Sequence, residues 1–281
     1  LPLLEPIILS NGVKAFRVMA TIENQTKQNL SGARVSVFFG MDKDEVMDIL
    51  ISEKIIYKET SSLNSGDFIK LLISKKKINN IIQIGANDGK SDDFLRSSIN
   101  IDTNLLLVEP IKSAFDELEK NYSGYKNVKF INKAIDVVTG KKNIFSVNPK
   151  YYNFYEKKYK SKDVSWLTVL ASFHKEHLEY HGIKSNHIQS TEIDCINFKE
   201  LIEQYDFQKL DLLVVDTEGY DDVLIANFIQ NTDIRPIIIL EWIHIKKNKA
   251  EEIIELLKSN NYKFLKLNKD LICIQNNQLF N

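Results

Sequence analysis

Two patterns of apolar positions divide this chain. From about Val13 to Thr60 apolar residues recur at every second position. Phe16, Val18, Ala20 and Ile22 share one face of "KAFRVMATI", and Ala33, Val35, Val37 and Phe39 share one face of "ARVSVFF". The run between them, "ENQTKQNLSG", is polar and rich in turn formers, so the segment predicts antiparallel strands with one solvated face. "KIIYKE" (Lys54–Glu59) is a further candidate strand.

Past "SSLNSGD" (Ser61–Asp67) the pattern changes. A short amphipathic helix is expected over Phe68–Lys75. Apolar runs follow at Ile81–Gly85, Leu105–Glu109, Val128–Asn132, Leu212–Asp216 and Pro236–Trp242. Helical spacing separates them at Ser91–Ser98, Ser113–Tyr122, Phe198–Tyr205, Asp222–Gln230 and Lys249–Asn260. The last apolar pair, Tyr262–Leu267 and Leu271–Ile274, has hairpin spacing around Asn268-Lys269-Asp270. Near-continuous apolar strands alternating with helices predict an α/β fold. Its sheet is mostly parallel and doubly wound, with an antiparallel C-terminal edge, and a small β-rich N-terminal segment precedes it. The expected domains are residues 1–64 and 65–281, the second carrying an insertion at about 148–190.

Composition narrows the function classes. The chain has 281 residues, 43% of them hydrophobic, which is ample for a packed interior. A net charge of −1 argues against a general nucleic-acid binder, which shows a basic excess or patch. No signal peptide and no apolar run of membrane-spanning length is apparent, and Cys195 and Cys273 sit in apolar strand-like runs as buried thiols of a reducing compartment. The expectation is a cytoplasmic protein. Its first residue is Leu1, so a missing targeting segment carries little weight.

The chemistry gathers at Gly85-Ala86-Asn87-Asp88-Gly89, where the first strand of the second region ends and a helix-like segment begins. In a doubly wound sheet, ligands bind beyond the carboxyl ends of the strands at the switch point. Gly85 permits a tight turn, Gly89 permits close backbone approach, and a helix N-terminus offers N–H groups. The stretch is not the dinucleotide fingerprint G-x-G-x-x-G. Asp88 stands where a pyrophosphate belongs, and a carboxylate beside a phosphate is unfavourable. A cationic or zwitterionic ligand suits it better. Glu109 ends the next strand about twenty residues on, where an acidic side chain accepts from both hydroxyls of a ribose. A ribose without a pyrophosphate, plus a positive centre, describes S-adenosylmethionine. The plainer account is two glycines that build a turn and a solvated Glu109. It competes at each residue singly but not for the spacing as a whole.

At this point the sequence resembles the FkbM-type S-adenosylmethionine-dependent methyltransferases. The matching pieces are "IIQIGANDGKSDDFL", "LLLVEPIKSAFDELEKNY", "VKFINKAI", "ASFHKEHLEYHG", "LDLLVVDTEGYDDVLI" and "PIIILEW", in the family's order over about Phe68 to Ile274. The resemblance implies a class I methyltransferase fold and O-methylation of a sugar or other polyol hydroxyl. It also implies that Gly85, Asn87, Asp88 and Gly89 cradle the methionine part of the cofactor, and that Glu109 holds the ribose. Asn132 to Ile135, Ala134 included, would border the adenine. Asp216, Glu218 and Gly219 would form the floor between cofactor and acceptor, and Ser172 and Phe173 would lie in the acceptor lid. Residues 1 to about 64 lie outside the resemblance. They weakly resemble part of an Ig-like sandwich of the bacterial adhesion type.

Methyl transfer to a sugar hydroxyl needs positioning and gains from a base. Asp216, Glu218, Glu241, His174 and His244 fall at strand ends or in the lid, with Asp216 and Glu218 first because their strand adjoins the first strand at the switch point. The competing readings are helix capping for Asp216 and turn solvation for Glu218. In "HKEHLEYH", His174, His177 and His181 share a helical face, but the spacing is not H-E-x-x-H and no fourth ligand is apparent. No metal is expected, and a single histidine of the three is the better candidate, as an acceptor contact or a base. "YYNFYEKKYKSK" interleaves aromatics, Tyr151 and Tyr155 among them, with lysines. That suits stacking on a sugar carrying a phosphate or carboxylate, against the alternative that the rings only cover the sheet. The expected partners are a sugar or glycan acceptor and, through the N-terminal strands, a second copy or an upstream domain. The rival readings are a catalytically silent module of a larger assembly, an NAD-type oxidoreductase, and a protein or lipid acceptor.

Overall fold

Strands that are apolar on both faces are stable only at the centre of a covered sheet, and that burial organises this molecule. In the computed structural model the described residues are 3–8, 14–19, 35–36, 65–74, 78–90, 95–159, 166–243, 245–267 and 269–275. They fall into two units, Leu1–Tyr57 and Lys58–Asn281. In the first unit β1 (Leu3–Ile8), β2 (Lys14–Met19) and β3 (Val35–Ser36) form an antiparallel sheet in that order, with Leu3 opposite Met19 and Val18 opposite Val35. β1 lies ahead of the stretch whose alternation predicted strands. Ala20, Ile22, Ala33, Val37, Phe39 and "KIIYKE" lie outside the described residues.

The second unit opens with α1 (Ser65–Ser74) and is built on β4 (Asn80–Ile84), β5 (Asn104–Val108), β6 (Val128–Ile131), β11 (Leu212–Val215), β12 (Ile237–Glu241), β13 (Tyr262–Leu267) and β14 (Asp270–Gln275). Their order is β13-β14-β12-β11-β4-β5-β6. β12, β11, β4, β5 and β6 run parallel, β14 runs against them, and β13 pairs antiparallel with β14. The antiparallel end of the sheet is therefore the C-terminal hairpin, with the reversed strand one place in from the edge. The helices are α2 (Lys112–Asn121), α6 (Phe198–Tyr205), α7 (Asp221–Asn231) and α8 (Lys247–Ser259). One core joins alternate strand residues, such as Ile82, Leu106, Leu213 and Ile238, to Phe198, Leu224, Phe228 and Leu257 of α6, α7 and α8. α6 starts where Asn197 Oδ1 accepts from the Glu200 N–H at 3.0 Å, a local N-cap. The helix expected over Ser91–Ser98 is not formed in its described part. Residues 95–98 are turn, closed by Ser98 N–H to Leu95 O at 2.8 Å.

The long excursion between β6 and β11 builds a second sheet. β7 (Ala134–Ile135), β8 (Gly140–Val147), β9 (Ala171–Ser172) and β10 (Ile188–Ile196) take the order β7-β10-β8-β9. α3 (Tyr152–Tyr159), α4 (Trp166–Val169) and α5 (Lys175–Tyr180) accompany it around a small core of Val147, Tyr155, Leu167, Leu170, Leu178 and Ile183. This layer runs from Ala134 to Ile196, wider than the insertion read at about 148–190.

The switch point is set by one close approach. β4 lies between β11 and β5, and the Gly85 backbone, at φ +79°, lies so near the Asp216 carbonyl that a Cβ at Gly85 would stand 1.8 Å from that oxygen. Gly85→Ala is therefore expected to destabilise the unit by roughly 2–5 kcal/mol, combining left-handed strain with a backbone clash. Urea unfolding of the variant against the parent checks this. An unchanged midpoint would mean that the two strand ends are not held together here.

Candidate active site

A cavity of about 240 Å³ opens at the carboxyl ends of β4, β5 and β11. Its wall includes Gln83, Gly85, Asn87, Glu109, Lys133, Ala134, Trp166, Ser172, Phe173, Asp216, Thr217, Glu218, Tyr220 and Lys269. Thus the turn after β4, the end of β5, the turn after β11 and the second sheet all meet at one place.

Glu109 is buried, and both of its oxygens are engaged: Oε2 accepts from the Asn87 N–H at 2.9 Å and Oε1 from the Ile111 N–H at 2.7 Å. Burial raises its pKa to about 7, against the lowering effect of those two bonds. It thus pins Asn87, which takes a left-handed φ of 50° at the cavity edge. Gln83 sits mid-strand in β4, buried, and its Oε1 has no hydrogen-bond partner among the described residues. A buried acceptor without a donor costs stability unless a ligand supplies one. Gln83 is not among the expected site residues, although a lone polar residue inside the run Ile81–Ile84 is a visible signal.

The other wall is acidic. Asp216 lies beside Glu241, Asp221 and Glu218. Burial, then these charges in that order, push its carboxyl well above the usual range, and Lys269 offsets this only in part. Its side chain nevertheless keeps 39% exposure, because the cavity opens onto it. Lys269 Nζ lies 3.0 Å from Glu241 Oε1 and 3.9 Å from Asp216 Oδ2. Asp221 is fully buried and closes the turn, accepting from the Thr217 N–H at 3.1 Å and the Gly219 N–H at 3.2 Å. The capping role weighed for Asp216 is not filled, because the helix at Asp221–Asn231 has Tyr220 as its N-cap and no side-chain cap bond. Glu218 has a left-handed φ of 53°. Two lid residues hold it: the Ser172 hydroxyl donates to its carbonyl at 2.8 Å, and His177 Nε2 lies 3.0 Å from its Oε2. A further network, also unforeseen, fixes Tyr220. Its hydroxyl donates to Asp136 Oδ1 at 2.6 Å, and Lys142 Nζ reaches Asp136 Oδ2 at 2.8 Å and packs over the Phe173 ring.

Of the expected site residues, Gly85, Asn87, Glu109, Ala134, Ser172, Phe173, Asp216 and Glu218 line the cavity. The others have different surroundings. Gly89 faces α2: a Cβ there would lie 2.6 Å from Leu118 Cδ1, so its need for glycine is a packing need. Asp88 Oδ1 accepts from the Lys90 N–H, and the Asn132 amide donates to the carbonyls of Glu109 and Pro110, bracing the end of β5. Glu241 is buried behind Lys269. His174 is exposed, with its ring centroid 5.7 Å from that of Tyr220. Tyr155 is fully buried: its hydroxyl lies 3.0 Å from His187 Nδ1 and accepts from the Lys184 N–H. Tyr151 stacks on His187 at 3.7 Å. For Tyr151 and Tyr155 the core-packing account prevails, because the lid needs a hydrophobic centre of its own. His244 lies outside the described residues.

Most of the cavity wall lies within a stretch that matches a known family. The family model described as "Methyltransferase FkbM domain" matches residues 83–264. The chain belongs to the FkbM methyltransferase family. Residues 83–264 are thus a methyltransferase domain of that family, and the family depends on S-adenosylmethionine. No curated protein matches the chain. Among solved structures it is similar to the FkbM methyltransferase of Methylobacillus flagellatus KT, at 10% identity and TM-score 0.43, over 79% of this chain and 47% of that one. This FkbM chain thus spans about half the length of that relative. It is also similar to a putative caffeoyl-CoA O-methyltransferase from Staphylococcus aureus, at 14% identity and TM-score 0.41, over 84% and 93% of the two chains. An O-methyltransferase from Bacillus cereus in complex with SAH gives 10% identity and TM-score 0.41, over 85% and 94%.

The residues present suit the methyl donor. The unmatched Gln83 acceptor, which lines the cavity, suits an ammonium group. A ribose held by Glu109 would give a pH signature. Hydroxyl donors favour its ionised form, and the free carboxyl titrates at about 7. Below that pH the free protein must lose a proton to bind. S-adenosylhomocysteine affinity is expected to be steady above pH 7 and to fall by up to about tenfold per unit below it. Glu109→Ala should weaken binding by more than about tenfold and flatten that dependence. Calorimetry at several pH values reads both effects. Unchanged affinity in the variant would remove Glu109 from the ribose site.

Proposed function

We propose that this FkbM-family protein is an O-methyltransferase whose acceptor is a hydroxyl of a sugar, a glycan or a glycosylated small molecule, with Asp216 as the general base. The observation that carries the reading is the Asp216 carboxylate, which lines the cavity and is held above the ordinary carboxylate range by burial and neighbouring acids. A base serves best when its pKa approaches the working pH, and such a group contributes about 10²–10⁴-fold. Bound S-adenosylmethionine supplies a methyl group on a good leaving group, so positioning does much of the remaining work.

The chain's own residues divide that work. Gln83, Gly85, Asn87 and Glu109 orient the donor from the β4 and β5 side. Asp216 takes the proton of the acceptor hydroxyl as its oxygen attacks. Lys269, anchored by Glu241, keeps the Asp216 carboxylate from being wholly neutralised. Phe173 and Trp166 from the lid and Tyr220 from the turn after β11 bring three rings to the wall beside the Ser172 hydroxyl, a mixture that suits a sugar's alternating polar edge and apolar face. Lys133 adds a cation at the wall for a phosphate or carboxylate on the acceptor. The residues around 148–190 act as the acceptor lid. Residues 1–64, which precede the catalytic domain 65–281 in the chain, serve docking, dimerisation or linkage.

Asp216→Asn is expected to leave S-adenosylhomocysteine affinity within about threefold while lowering turnover by roughly 10²-fold or more. Methyl transfer measured over a panel of nucleotide-sugars and glycans tests both the acceptor and the base. Surviving turnover would remove Asp216 as the base. Transfer only to protein or lipid acceptors would overturn the sugar assignment.

A further inference from the structure

Behind the cavity wall His177, His181 and Glu218 converge, with one donor atom from each lying within 4.8 Å of the others. His177 and His181 stand at i and i+4 across the end of α5, and their ring centroids are 4.7 Å apart. Glu218 arrives from the turn after β11 and brings Oε2 to 3.0 Å from His177 Nε2. We propose that these three side chains bind a divalent transition-metal ion of the Zn²⁺ type.

The donor set decides the class of ion. Two imidazole nitrogens and one carboxylate suit zinc and its first-row neighbours, whereas calcium and magnesium take all-oxygen shells. The distances are close to what such an ion needs. With bonds near 2.1 Å, two ligands of a tetrahedral ion lie about 3.4 Å apart. The His177–Glu218 pair needs only a few tenths of an ångström of adjustment, and the widest pair needs a rotation of one half-buried side chain. Three protein donors leave one position for water.

The local backbone presents the carboxylate. Glu218 holds a left-handed φ of 53°, unusual for a residue with a long side chain, and the Ser172 hydroxyl secures its carbonyl. At Gly219 a Cβ would stand 3.0 Å from His177 Nδ1, so the imidazole lies flush against the turn. Glu218 lines the cavity, but neither histidine does. The ion therefore sits on the far side of that carboxylate and staples α5 of the lid to the turn that carries Asp216. Its role is to fix the lid, and the assignment does not depend on the sugar acceptor.

The test is calorimetric titration of the metal-free full chain with Zn²⁺, with Co²⁺ as the optical probe. One equivalent is expected to bind with micromolar or tighter affinity, to raise the melting temperature and to give the visible bands of a four-coordinate Co²⁺ centre. His181→Asn and, separately, Glu218→Gln should each lower the affinity by roughly tenfold or more, and His174→Asn should not. Circular dichroism shows which variants are folded, and either of the first two suffices. Failure to bind one equivalent would overturn the site. So would a loss in His174→Asn equal to that in the folded ligand variants, and so would full affinity in them.

Discussion

The site depends on the contact between two strand ends. Gly85 and Asp216 close neighbouring parallel strands, and the Asp216 N–H donates to the Ile84 carbonyl at 3.0 Å while its own carbonyl lies against the Gly85 α-carbon. That spacing leaves no room for a side chain. It follows from the route of the chain, which leaves β4 toward β5 and β6 and returns on the other side as β11. The turn that would hold the donor and the turn that carries the acids are thereby kept within one cavity. Every role assigned to Glu109 on one side and Asp216 on the other presupposes this contact.

Charge is arranged unevenly around that contact. Four carboxylates, Asp216, Glu218, Asp221 and Glu241, gather at the ends of β11 and β12. The Lys269 ammonium lies among them within 3.9 Å of Asp216, and it comes from the turn of the terminal hairpin. Carboxylates so close cannot all ionise cheaply in a partly dry site. Asp221 accepts two backbone N–H groups, which only partly offset the burial that pushes it up to about 7, and Glu241 is paired with Lys269. Asp216 opens to the cavity, where its raised proton affinity can be used. The same logic places Glu109 near 7, because two N–H donors only partly offset complete burial.

The second sheet is a layer with its own small core, and it explains a division among the aromatic residues. A core of six side chains must be filled from within the excursion itself, so Tyr155 goes inward and Tyr151 stacks on His187. Two lysines beside them lie over rings: Lys158 sits 4.8 Å from the Tyr159 centroid and Lys150 4.8 Å from that of Tyr151. What reaches the cavity from this layer is a different set: Trp166, Ser172 and Phe173, drawn from α4 and the residues around β9, with Ala134, Ile135, Ile144 and Ala171 beside them. The layer also reaches the acidic turn, through Ser172 and His177 to Glu218.

The sequence by itself determined the alternation of strands and helices, the turn at Gly85, the acid at the end of β5 and the "DTEGYD" turn. Each of these is local: a run of apolar residues, a glycine that must take a positive φ, a strand that stops at an acid. Among the described residues, the main local failure was the helix expected after Gly89, where residues 95–98 are turn. Tertiary structure alone decided which candidates share the cavity. A period-two or period-3.6 pattern says which face of an element is buried, but not what lies opposite. Hence Gly89, read as a cofactor glycine, proved to make room for Leu118 and Tyr122, and Tyr155, read as an acceptor contact, proved to be lid core. Lys269, Tyr220 and His181 acquired their neighbours only when segments far apart in the chain came within a few ångströms. That convergence is a property of the packed layers and is written in no single stretch of the chain.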